Sequence, residues 1–126
     1  MNDIKYEQDR DEFLERMLRS ARGTFEIFSI YMGHQLGYYI ALAGNGWTTA
    51  PQLAEKTATN RRYATEWLEQ QASAGIIEAT EADDDDKRCF RLPAAHAEVL
   101  AEPDSLNYLA PLAQIVVGAA RPGHRI

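Results

Sequence analysis

The chain is poor in the residues that build covalent or metal-bound frameworks. Its one cysteine, Cys89, allows no internal disulfide and no cysteine-built zinc site, which points to a reducing compartment. The three histidines, His34, His96 and His124, fall in separate segments with no ligand partner one helical turn away, so no metal triad is expected. Four consecutive aspartates at 83–86 lack the glycine and the distal glutamate of a calcium loop, and they suit a solvated turn instead. Positive charge is also scarce. With 13 Lys and Arg against 19 Asp and Glu, the net charge of -6 removes the general electrostatic case for binding nucleic acid or an anionic membrane. Residues 1–22 are charged throughout and offer no apolar signal core, so the cytoplasm is the expected address. The apolar run 25–43 is long enough to be mistaken for a membrane span, but Glu26, Gly33, His34, Gln35 and Gly37 lie inside it.

What remains is one mainly helical domain over residues 1–126. Residues 9–22 place Phe13, Leu14, Met17 and Leu18 among Glu12, Glu15, Arg16 and Arg19, which predicts an amphipathic first helix ending near Gly23. The run 25–43 predicts a second helix, buried on most of its circumference, with Phe25, Phe28, Met32, Leu36, Tyr39 and Ala43 on one stripe. Gly44, Asn45 and Gly46 stop it; with no preceding strand and no third glycine, they do not make a phosphate loop. Residues 1–47 thus form a helical part suited to dimerisation. In 48–92 the order is a short helix opened by Thr48, Thr49 and Pro51, a turn at Ala58 and Thr59, and a helix over 61–74 capped by Asn60. Two short strands follow, at 76–80 and 87–92, which makes a winged helix-turn-helix with a small two-stranded wing. Residues 93–126 supply C-terminal helices, at 93–100 and 106–120, the second without a single charge. A helix of that kind wants a covering surface.

Four runs in this order carry a resemblance: Tyr31-Met32-Gly33-His34-Gln35-Leu36-Gly37, Arg62-Tyr63-Ala64-Thr65-Glu66-Trp67-Leu68-Glu69-Gln70-Gln71, Leu92-Pro93-Ala94-Ala95-His96-Ala97-Glu98-Val99-Leu100 and Asn107-Tyr108-Leu109-Ala110-Pro111-Leu112-Ala113. Together they resemble the amino-terminal winged-helix domain of class I S-adenosylmethionine-dependent methyltransferases, over roughly residues 10–121. The resemblance implies a non-catalytic module that dimerises and caps the substrate site of a small-molecule methyltransferase. It implies S-adenosylmethionine only for a full-length member, whose catalytic Rossmann-like domain would be the partner domain or subunit. Residues 1–126 contain no strand, glycine-rich turn and ribose-binding acid in succession, so the chain itself is expected to bind no cofactor and to catalyse nothing. An excised domain and a natural standalone protein both fit.

Individual residues carry two readings each. Tyr31, His34, Tyr38 and Tyr39 either line a pocket for an apolar or aromatic ligand or serve packing. His96 suits a packing and capping role, and Cys89, alternating with Phe90 on a strand, suits a small buried hydrophobe. Gly33 and Gly37 allow close helix contact, in the core or across a dimer. Phe13, Met17, Phe25, Phe28, Met32, Leu109, Leu112 and Val116 are the expected homodimer interface. The rival function is a winged-helix DNA-binding regulator, with Arg61 and Arg62 at the start of the recognition helix. From 59 to 92, however, five positive residues meet eight negative ones, and a wing tip of four aspartates would face phosphate. Nucleic acid is therefore an unfavoured partner. A standalone accessory or ligand-binding protein is the remaining alternative.

Overall fold

The computed structural model describes residues 3–120. Its helices are α1 (Asp3–Gln35), α2 (Tyr38–Leu42), α3 (Ala50–Thr57), α4 (Arg61–Ser73), α5 (Ala94–Ala101) and α6 (Ala110–Ala120). Strands β1 (Thr48–Thr49), β2 (Glu78–Ala79) and β3 (Cys89–Arg91) form an antiparallel sheet in the order β1-β3-β2. The architecture is the expected winged helix-turn-helix, with α3 and α4 as the two helices and β2 and β3 as the wing. The sheet has one strand more than the expected pair, because Thr48 and Thr49 pair with Phe90 and Cys89 just before α3 begins. A two-residue strand that also caps a helix carries no alternating pattern, which is why composition hid it. The expected end of the C-terminal part, residues 121–126, lies outside the described residues.

The first two expected helices are largely one. Gly23 does not end a helix; α1 runs through it for 33 residues, since one interior glycine costs only about 1 kcal/mol and is outweighed by good helix formers on both sides. The break comes at Gly37, whose φ of 74° a side chain would strain. Gly44 and Gly46 take the same left-handed conformation and stop α2, as expected. The last helix begins at Ala110 rather than Leu106, with Pro111 in its first turn. Ahead of it, Leu109 N–H donates to Val99 O at 2.9 Å and ties the connection to α5.

Caps set the start of the helix-turn-helix. Thr49 Oγ1 accepts from Gln52 N–H while Gln52 Oε1 accepts from Thr49 N–H, a reciprocal box opening α3. Asn60 Oδ1 accepts from Tyr63 N–H at 3.0 Å and opens α4. Between them Ala58 takes a φ of 55°, uncommon for a residue with a Cβ. Tyr38 Oη lies 2.8 Å from Thr59 Oγ1, so α2 is tied to this turn.

The core is built from Tyr38, Tyr39 and Leu42 of α2, Leu53 of α3, Ala64, Trp67 and Leu68 of α4, Phe90 and Leu92 beside the wing, and Leu100 of α5. Burial of each large member contributes about 1.5–3 kcal/mol. Of the pair on β3, Phe90 is the buried one and Cys89 is only half-buried, so Cys89 is not a core residue. Gly33 is a core contact: a Cβ placed there would lie 2.3 Å from Trp67 Cζ2, so the indole packs on bare helix backbone. A polar cluster fastens the same crossing. Trp67 Nε1–H donates to Ser29 O at 2.9 Å, Gln71 Nε2 donates to Ser29 Oγ at 3.0 Å, and Tyr39 O–H donates to Gln71 Oε1 at 2.5 Å. Gln71 is fully buried, and these bonds satisfy it.

Candidate interaction surface

The 25–43 segment is not buried on most of its circumference. Ser29, Ile30 and Gly33 face the core side, while Phe25 is 72% exposed and Phe28, Met32 and Ile40 are also open. Residues 3–22 of α1 are exposed at every position, including Ile4, Tyr6, Phe13, Leu14, Met17 and Leu18. Helix α6 packs along α1. It buries Ala110 and Ala113 and leaves Leu109, Leu112, Ile115 and Val116 outward. All eight residues expected at a dimer interface are therefore on the surface, in two adjoining helices. Ile115, 68% exposed, belongs with them and was not singled out in the sequence. Its spacing from Leu112 and Val116 was the available signal. A contiguous apolar face of this kind exceeds what scattered surface leucines produce.

The tyrosine cluster does not line a pocket together. Tyr38 and Tyr39 are 0% and 1% exposed, and they stack on Trp67 with ring centroids 4.8 and 5.2 Å away. Burial raises the Tyr38 phenol above the ordinary tyrosine value, with the Thr59 hydrogen bond opposing and Tyr63 adding slightly. Burial pushes Tyr39 up further, against the opposing bond to Gln71. Tyr31 and His34 stay half-buried on α1, with the His34 ring 6.4 Å from that of Tyr108. His96 Nδ1 lies 2.7 Å from Ile76 O and so fastens α5 to the chain after α4. Nearby, Glu98 accepts from Asn107 Nδ2 and Ser105 Oγ, and these bonds hold its carboxyl below the usual carboxylate range, Asn107 contributing most. The pair of bonds staples the 102–109 connection to α5.

The helix-turn-helix face is electrostatically closed. Arg61 pairs with Asp86 of the wing tip at 2.8 Å, and Arg62 with Glu66 at 3.3 Å. Asp86 is held in a single 3-10 turn over Asp85–Lys87, where its N–H donates to Asp84 Oδ1 at 2.9 Å. Arg91 pairs with Glu78 at 2.8 Å and lies 4.4 Å above the Trp47 ring. Arg88 Nε lies 2.7 Å from Glu69 Oε2 without the alignment of a hydrogen bond, so that contact is coulombic. Each surface pair is worth only about 0–1 kcal/mol. Their effect is on the field: four of the five cations between 59 and 92 already face a carboxylate. Among the described residues, no group of three His, Cys, Asp or Glu could hold a metal ion, and no helix is long and apolar enough to cross a membrane.

The model of the Rv2258c-like winged HTH domain matches residues 26–102. The chain belongs to that family. Solved structures agree on the fold. The mitomycin 7-O-methyltransferase MmcR is 25% identical with a TM-score of 0.66, over 93% of this chain and 32% of its own. PigF, solved with SAH, is 17% identical with a TM-score of 0.64, over 82% of this chain and 28% of its own. The S-adenosylmethionine-dependent methyltransferase SibL, in its apo form, is 20% identical with a TM-score of 0.51, over 85% and 33%. No curated protein matches the chain. The chain spans about a third of the length of the solved chains it matches. It is a winged-helix domain resembling the amino-terminal region of S-adenosylmethionine-dependent methyltransferases. The family match begins at residue 26, so most of the exposed part of α1, and all of α6, lie beyond it.

Proposed function

We propose that this domain is a non-catalytic module that dimerises, and caps the substrate site, in or derived from a small-molecule methyltransferase using S-adenosylmethionine. The observation that carries this reading is the outward apolar face of α1 and α6, where Phe13, Met17, Phe25, Phe28, Met32, Leu109, Leu112 and Val116 all meet solvent in the single chain. A second copy is the partner such a face suits, because one patch repeated by a two-fold axis covers itself. The methyl donor belongs to a catalytic domain joined to this one or bound to it, and cytoplasmic placement fits the lone thiol. Light scattering at tens of micromolar protein tests the assembly, that range covering interfaces of moderate affinity. A mass near twice 14.2 kDa is expected, and a monomer would overturn the proposal.

The DNA-binding reading has one observation in its favour, the helix-turn-helix itself. Against it stand the Arg61 and Arg62 ion pairs and the aspartate wing tip at the same end of α4. A cationic helix end that is already neutralised in cis has few counterions to release from DNA.

A further inference from the structure

Along α1, Leu14, Leu18, Ala21, Phe25, Phe28 and Met32 follow one another at intervals of four, three, four, three and four residues. This is a heptad seam. Its mean period of about 3.5 residues stays on one side of a helix only when that helix winds against another. The seam lies on the opposite edge of α1 from Ser29, Ile30 and Gly33, which face α4 and the core. All six side chains are open, from Met32 at 36% to Phe25 at 72%.

We infer that this seam is the docking surface for the same seam of a second copy, the two α1 helices running antiparallel about a two-fold axis. Leu14 then faces the partner's Met32, Leu18 the partner's Phe28, and Ala21 the partner's Phe25, and the other three layers repeat these by symmetry. The inference rests on the dimer reading above and gives it a geometry. Size decides the direction. Antiparallel pairing sets the one small residue, Ala21, against the most exposed aromatic, whereas parallel pairing sets Ala21 on Ala21 and leaves that layer underfilled. Charge supports a copy of the same chain over a charged partner. The residues flanking the seam near the axis are Glu15 and Arg22, which already pair with each other at 2.8 Å on one helix, and on the other side Met17 and Thr24. Such a flank offers no net charge for an oppositely charged helix to read, and the Glu15 partner offsets the approach of two Arg22 side chains. Area sets the extent. Side chains of these sizes offer on the order of 500 Å² per protomer, against about 800 Å² for a stable interface. Phe13 and Met17 beside the seam, with Leu112 and Val116 on α6, supply the remainder.

Cysteine pairing in a Cys89→Ser background reads the direction. Leu14 and Met32 are about 27 Å apart along one helix, so they cannot join within a chain. The double variant Leu14→Cys, Met32→Cys should become a covalent dimer on oxidation or with a short bis-maleimide, while each single variant stays monomeric on a denaturing gel. Circular dichroism should match the parent, since both positions are exposed. Cross-linking by Leu14→Cys alone would mean parallel helices and overturn the inference. No cross-link in any variant, with light scattering still showing a dimer, would overturn it while leaving the dimer reading intact. A monomer in light scattering would remove both.

Discussion

Replacing Gly33 with alanine tests whether the α1–α4 crossing depends on bare backbone. The added Cβ would sit 2.3 Å from Trp67 Cζ2 and 2.9 Å from both Trp67 Cε2 and Tyr39 Cε2, where both side chains are buried and neither ring has free space to retreat into. Helix propensity alone would favour alanine by about 0.5–1 kcal/mol. Overpacking of a filled core costs about 1–3 kcal/mol, and tilting the indole weakens the 2.9 Å bond from Trp67 Nε1–H to Ser29 O, worth about 1 kcal/mol more. The balance is a loss of roughly 1–3 kcal/mol, or about 5–15 °C in the melting midpoint of a domain this size. Gly23→Ala is the matched control, because its Cβ would meet nothing within 4 Å in the same helix. It should gain about 0.5–1 kcal/mol. Urea and thermal unfolding of the two variants beside the parent measure both. A Gly33→Ala protein as stable as the Gly23→Ala control would refute the packing argument.

The tyrosine core and the wing each yield a further prediction. Tyr39 has its folded pKa raised by burial, so the stability it contributes as a neutral phenol is complete below the ordinary tyrosine value of about 10 and declines as pH rises above it. Ultraviolet titration should show Tyr39 ionising only together with alkaline unfolding; a Tyr39→Phe variant that keeps the same alkaline midpoint would contradict this. On the wing, the parent should show no salt-sensitive affinity for duplex DNA. Neutralising Asp83, Asp84, Asp85 and Asp86 to Asn should release Arg61 and create weak, sequence-independent binding that falls steeply with salt. Anisotropy titration decides it, and tight sequence-specific binding by the parent, near ~10 nM, would instead favour a regulator.

Most of the fold was legible because its signals are local. Thr49 with Gln52, and Asn60 ahead of Tyr63, mark helix starts by side-chain chemistry that acts over three residues, and both caps form where expected. Gly37 and Gly23 could not be ranked from sequence. Which glycine breaks a helix depends on where the chain must turn to bring Tyr38 and Tyr39 under Trp67, and that is a tertiary demand. For the same reason aromatic identity at 31, 38 and 39 could not separate a pocket from a core, whereas the burial of Tyr38 and Tyr39 does. The outward apolar residues of α1 and α6 were legible as apolar. Their exposure was not, because hydrophobicity alone does not say which face of a helix the rest of the chain covers.

The unbroken length of α1 makes it a lever. Its contacts with α4 through Ser29 and Gly33 lie near one end, and the helix runs from there without interruption to Asp3. From Gly33 to Ile4 the distance is about 44 Å. A tilt of about 5° at the Trp67 seat therefore displaces the tip by roughly 4 Å, close to the separation at which apolar side chains lose contact. Small repacking at a buried indole is thus magnified into the alignment of surface residues far away, and substitutions in the core under α1 should alter assembly even where they leave every exposed side chain unchanged.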